Sequence, residues 1–239
     1  MNVRKMAGMA VAALLLFCVA SSASAVVAFE WNEGGPGNGL NSPHQSKHGV
    51  GGPVLADDFI PAVGGLVQHV TWWGSAPLSA TGVDLFEITF HADTGNAPNV
   101  PLAQAPSGGI SQHVIAALGL DPDNDGVFLY STPWAPQDVL VAAGTTYWFS
   151  VANATGAGWT WANPSPLAGP PQVGSETFGA QVSVGVGPNG GPHFGPWNPV
   201  FRPDGVTPQD FAFAIDVPEP ATLSLLALGG LALIRRRRK

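Results

Sequence analysis

Cysteine, basic side chains and helical periodicity are what this 239-residue chain has least of, and each shortage excludes something. Cys18 is its one cysteine. No disulfide can form within the chain, so the fold must hold by packing and hydrogen bonds, and thiol catalysis or a Cys-ligated zinc further along is ruled out. Lys and Arg together number nine, and seven sit at the two ends: Arg4 and Lys5, then Arg235, Arg236, Arg237, Arg238 and Lys239. Between the ends only Lys47 and Arg202 remain, against fifteen of the sixteen acidic residues, which gives 26–216 a formal charge of −13. So acidic a body suits neither nucleic acid nor an anionic lipid surface, and is compatible with solubility, cations and neutral polysaccharide. The stretch also lacks a Gly-x-Ser-x-Gly elbow and a phosphate-binding loop, the motifs that announce common hydrolase and nucleotide chemistry.

What is present reads as β-structure. Residues 26–216 are long enough for one large sandwich with its own core. Thirty-one glycines and twenty-three prolines break the apolar residues into short runs, the punctuation of an all-β domain. Alternation predicts strands over 66–73, with Leu66, Val70 and Trp72 on one face, and over 85–90, with Phe86, Ile88 and Phe90 on one face. Further strands are expected over 126–131, 145–152, 159–161, 178–186 and 211–215. In 145–152 aromatics fall on both faces, Tyr147 and Phe149 against Trp148, so that strand should be central. In 211–215 the residues Phe211, Phe213 and Ile215 form the face to be buried. Loops rich in Gly and Pro are expected over 32–53, 163–173 and 185–199.

The two ends read as addresses. Arg4 and Lys5, the apolar run 11–20 and the small residues Ser21, Ser22, Ala23, Ser24 and Ala25 follow the plan of a secretory signal peptide over 1–25, cut by signal peptidase after Ala25. A lipoprotein reading through Cys18 is disfavoured by bulky Phe17 before it. At the other end, 217–239 reads VPEPATLSLLALGGLALIRRRRK. The uncharged run 221–234 would be about 21 Å long as a helix, short of a full span without its flanks. The cations directly after it hold its end in the cytoplasm and everything before it outside. Pro218, Glu219 and Pro220, the run containing Gly229 and Gly230, and the terminal arginines together resemble the PEP-CTERM sorting signal. That resemblance implies recognition by an exosortase, a membrane cysteine transpeptidase, with Pro218, Glu219 and Pro220 as residues acted upon, and a tail at least transiently in the inner membrane. The body is more loosely similar to the β-sandwich domains that precede such tails, through Ala56-Asp57-Asp58-Phe59, Trp72-Trp73-Gly74, Ala143 to Trp148, Trp159-Thr160-Trp161 and Phe211 to Ile215. This likeness implies a single jelly-roll-like β-sandwich, flanked by a signal helix and a short transmembrane helix, and no agreed activity.

Few residues in the body suggest chemistry. Asp121, Asp123 and Asp125 precede Gly126 at alternate positions, the first half of a calcium loop. Thr132 stands where an EF-hand needs its bidentate Glu, so an EF-hand is excluded and any calcium would need ligands from elsewhere; an Asp/Asn/Gly turn is the alternative. His44 and His48 lie four apart in an expected loop, where that spacing does not form a zinc site. Asp57 or Asp58 could pair with Glu87 as in a glycoside hydrolase, but adjacent strand residues point to opposite faces, so at most one would reach a cleft. Trp72, Trp73, Trp148, Trp159 and Trp161 are either core or rings on which sugars stack. The expectation is a non-enzymatic exported protein of the cell surface or extracellular matrix, associated with exopolysaccharide, with a carbohydrate-binding module and a glycoside hydrolase as alternatives.

Overall fold

The computed structural model describes residues 25–31, 40–46, 53–101, 112–122, 124–136, 138–154, 159–164, 171, 173–176, 181–184, 197–201 and 208–218, and gives the backbone alone for 31, 40–46, 53, 99–101, 112 and 181–184. These residues form strands and no helix. In chain order the strands are β1 (Ala25–Trp31), β2 (Leu40–Ser46), β3 (Pro53–Phe59), β4 (Gly65–Leu66), β5 (His69–Gly74), β6 (Val83–Asp93), β7 (Pro98–Pro101) and β8 (Gln112–Leu120). They continue with β9 (Phe128–Pro133), β10 (Leu140–Val141), β11 (Tyr147–Asn153), β12 (Trp159–Asn163), β13 (Gln181–Val184), β14 (Trp197–Pro199) and β15 (Phe213–Pro218). The all-β expectation is met. The helices expected at the two ends lie outside the described residues, where the structure gives no account of them.

Hydrogen bonds link most strands in the order β1-β15-β5-β9-β8-β6-β11-β3-β13-β14, with β12, β2 and β7 attached beside this path and β4 pairing β10 separately. Strand β8 is the corner. Its residues 112–118 pair with β6, while Gly119 and Leu120 pair with β9. One strand therefore serves two halves, and the sheet folds over so that its halves face each other. Residues 173–175 carry it towards closure: Glu30 of β1 exchanges backbone bonds with Val173, and Ile60, just past β3, exchanges them with Ser175.

Aromatic rings fill the space between the halves. Phe213 on β15 stacks on Phe149 of β11 with centroids 5.0 Å apart, and lies 5.8 Å from Phe59 of β3. Trp72 on β5 meets Phe86 of β6 at 5.1 Å. Edge-to-face and offset contacts of this kind add to the area each ring buries. The predicted core face Phe86, Ile88 and Phe90 is fully buried, as are Phe211, Phe213 and Ile215. Strand β11 runs between β3 and β6 with all seven residues buried, the central place its two-sided aromatics predict. Gly74 ends β5 where a Cβ would sit 2.1 Å from the Trp159 ring, so no other residue fits without moving that indole.

Four expectations are corrected. The loop expected over 32–53 contains β2, which holds His44, and the loop expected over 185–199 contains β14; both are strands because neighbours pair with them, β12 and β13 respectively. Pairing of that kind leaves no local signal. The strand expected over 66–73 breaks after Leu66, which pairs with Leu140 in the small β4-β10 sheet, while Val70 and Trp72 keep the core face. The strand expected over 126–131 runs Phe128–Pro133.

Candidate functional site

The described body places its least expected side chains together. Asp57 and Asp58 on β3 and Glu176, one residue past the Ser175 bridge, each bring a carboxylate oxygen within 4.8 Å of the others. Asp210, which precedes the buried run 211–215, adds a fourth acidic group to their electrostatic surroundings. Asp57 and Asp58 are fully buried and Asp210 nearly so. The expectation that neighbouring Asp57 and Asp58 cannot serve one place is overturned. The reason is local: Asp57 Oδ1 turns back to accept the Asp58 backbone N–H at 3.1 Å, which keeps its carboxylate beside its neighbour. Asp57 Oδ2 accepts the Phe211 N–H at 2.6 Å, joining β3 to the segment that enters β15.

Burial and mutual repulsion set the protonation of this cluster. Asp57 is held well above the usual carboxylate range, first by burial, then by Asp210, Glu176 and Asp58, against the opposing pull of the Phe211 N–H. Glu176 is pushed up to about 9 by burial, then by Asp210 and Asp58, and its Oε2 is buried with no hydrogen-bond partner. Carboxyl groups this close can be neutralised by shared protons or by one hard cation. The arrangement favours protons, because both Asp57 oxygens are already committed to backbone N–H groups and a calcium ion takes six to eight oxygens.

Glu87 does not join them. It pairs with Ala152 on β11, whereas Asp57 pairs with Phe149 from the opposite edge of the same strand. Two strand spacings and three residues of offset put their Cα atoms about 14 Å apart, beyond the roughly 5–9.5 Å between glycosidase carboxyl groups. The proposed pairing of Asp57 or Asp58 with Glu87 is therefore not formed.

The tryptophans offered for sugar stacking are interior. Trp72, Trp148, Trp159 and Trp161 have no exposed surface and Trp73 has 8 %. Alternation does send Trp72 and Trp73 to opposite faces, but both faces are covered at β5, Trp73 packing with Val127, Ala162, Ala212 and Ala214. Three of the indoles spend their N–H inside: Trp148 on Asp93 Oδ1 at 2.9 Å, Trp159 on the Ser75 carbonyl at 3.2 Å, Trp161 on the Ala212 carbonyl at 2.9 Å. None of the five offers a ring face to a glycan.

At the acidic turn, Asp121 accepts the N–H of Asp125 at 3.1 Å and of Gly126 at 3.2 Å, and Asp125 accepts that of Val127 at 2.8 Å. Asn124 and Gly126 take left-handed backbone conformations there, with φ of 59° and 86°. The bond from Val127 to Asp125 is that of an Asx turn, and the two to Asp121 close the loop around it. Asp123 lies outside the described residues, as do His48, Glu219 and Pro220. Glu176 and Asp210 were not singled out from sequence. The signal for Asp210 was available, a carboxylate directly against an apolar run; Glu176 had none.

Comparison with curated proteins and with solved structures gave no match. Among the described residues, no helix is long and apolar enough to cross a membrane. Residues 216–239 match the family described as PEP-CTERM protein-sorting motif. That motif implies processing by an exosortase and export to the cell envelope, and the likeness lies in the tail alone.

Proposed function

We propose that the protein is a non-enzymatic component of the cell surface or extracellular matrix, delivered by exosortase processing of its tail and working in association with exopolysaccharide. The observation that carries this reading is the sorting motif at 216–239. In it, signal peptidase removes 1–25, the body 26–216 is the exported jelly-roll-like sandwich, and 217–239 holds the chain in the inner membrane through a short helix until the exosortase acts near Pro218, Glu219 and Pro220. The acidic body then favours neutral matrix polymers over nucleic acid. Among the described residues, burial of Trp72, Trp73, Trp148, Trp159 and Trp161 and the separation of Glu87 from Asp57 withhold support from the stacking rings and the Asp–Glu87 pair on which the carbohydrate-binding and hydrolase alternatives rest.

The test compares the chain with a Pro218→Ala, Glu219→Ala, Pro220→Ala variant in a host that carries an exosortase. Mass spectrometry of the surface fraction should find the parent lacking 235–239 and the variant retained in the inner membrane with its tail intact. Equal processing of both would remove the sorting reading; a processed protein washed off equally from cells with and without exopolysaccharide would remove the matrix association alone.

A further inference from the structure

The outward face of β6 and β8 is aliphatic and bare. Register sets Val83 opposite Leu118, Leu85 opposite Ala116 and Glu87 opposite Val114, and paired residues share a face. Leu120, two residues beyond Leu118, continues the row. Val83, Leu85, Val114, Leu118 and Leu120 are between 41 and 59 % exposed, and Ala116 is exposed with them. Together these neighbouring side chains expose apolar surface on the order of a few hundred Å², the scale of the largest patch on a typical monomer. The acidic groups of β6 do not interrupt it. Asp84 is buried and accepts the N–H groups of Leu78 and Ser79 at 2.8 and 2.9 Å, and Glu87, at the margin, is 8 % exposed.

We propose that this face is an interface with the same face of a second copy of the chain. Two aliphatic sheet faces of one twist pack in an aligned, face-to-face manner, and a two-fold axis lets one surface serve both partners. Charge narrows the choice of occupant. Two bodies of formal charge −13 repel over most of their surface, so copies can meet only where charge is absent, and this face is such a place. The same negative charge opposes an anionic membrane. A sugar would need an exposed ring and polar groups beside it, and the face offers aliphatic side chains alone. Closing it twice over removes on the order of 1,000 Å² in total, at the low end for specific interfaces, so the pairing should be weak and suited to a protein concentrated at a surface.

The experiment uses the full chain in its host. Cells making Leu118→Cys are treated with a short bis-maleimide, with Ala143→Cys, exposed at a turn outside β6 and β8, as the reference. A cross-linked species of twice the mass is expected from Leu118→Cys and not from Ala143→Cys. Adding Val114→Asp, or separately Leu85→Asp, to Leu118→Cys should lower the cross-linked yield at least tenfold; two variants at exposed positions guard against one that folds badly. Absence of the species, its equal formation at position 143, or its persistence in both charged variants would overturn the proposal. So would a Leu118-dependent flotation of the chain with zwitterionic vesicles in place of cross-linking, which would make the face a lipid contact.

Discussion

Two outward faces of one sheet meet opposite fates. On β5, β9 and β15 the outward row includes Trp73, Leu129 and Ala214, with Ala212 just before β15 and the bonded hydroxyls of Thr71 and Ser131 beside them, and the indole is buried among small neighbours with Val127 and Ala162. On β6 and β8 it includes Val83, Leu85, Val114, Ala116, Leu118 and Leu120, and all of these are exposed. The patch around Trp73 and the row on β6 and β8 are both apolar, and the difference between them is size. One large ring among alanines has room to be enclosed by the chain around it, as when Ala212 N–H bonds the Ala162 carbonyl and Trp161 Nε1 bonds the Ala212 carbonyl. A rank of similar aliphatic side chains cannot cover itself, and stays open until something else arrives.

The inward face sets the scale against which both are measured. Phe213 touches Phe29, Phe59, Phe149 and Trp161 and has no exposed surface, so Phe213→Ala is expected to cost about 3–5 kcal/mol. A loss below about 1 kcal/mol in denaturant melts would mean that the two halves do not pack through this ring. Trp73→Ala comes next. Its neighbours are mostly alanines, which can settle into part of the space left, so the expected cost is about 2–3 kcal/mol. A cost as small as that of a surface change would place the covered face in water and erase the contrast with β6 and β8.

Much of this was legible in the chain and some could not be. The inward rows Phe86-Ile88-Phe90 and Phe211-Phe213-Ile215 alternate cleanly, and a period of two with one aromatic face has a single reading. Strand β11 announced its central place by carrying aromatics on both faces. By contrast β8 has apolar residues at nearly every position, so its period could not say which side was inside, and β2 and β14 are strands through partners distant in sequence. The tryptophans were ambiguous for the same reason. Alternation assigns a ring to a face and does not say whether the face is covered. The carboxylate cluster joins positions 57, 58, 176 and 210, and no spacing rule spans such separations.

That cluster anchors the covered side, since Asp57 Oδ2 holds the Phe211 N–H one residue before Ala212. Its protonation should therefore govern stability. Glu176 ionises near 4.5 when unfolded and is raised to about 9 when folded, so between these values the folded chain binds the extra proton. Stability is fully present below the lower value and is lost as pH rises towards the higher one, with Asp57 acting in the same direction. The melting temperature is expected to fall steadily from pH 5 to pH 9. Glu176→Gln should flatten that slope and raise stability at pH 8 by about 1–2 kcal/mol, a figure reduced for the partial exposure of this residue. A parent profile that is level or rising over this range would show that the carboxyl groups are not sharing protons. Calcium that restored the pH 5 melting temperature at pH 8 would show a cation taking the place of the protons.

The smallest effect belongs to the bare face. Leu118→Ser exchanges a half-exposed side chain on β8 for a polar one, and at low protein concentration it should change stability by no more than about 0.5 kcal/mol, in contrast to Trp73→Ala across the sheet. Concentration then separates a face that is bare from one that is waiting. If copies pair through it, the parent's melting temperature must rise with protein concentration, because association draws on the folded state alone. The Leu118→Ser chain should show no such rise. Thermal melts of both over a hundredfold range of concentration decide the matter. A cost of about 2 kcal/mol or more at the lowest concentration would mean that the chain itself covers Leu118, and the two outward faces would then be alike.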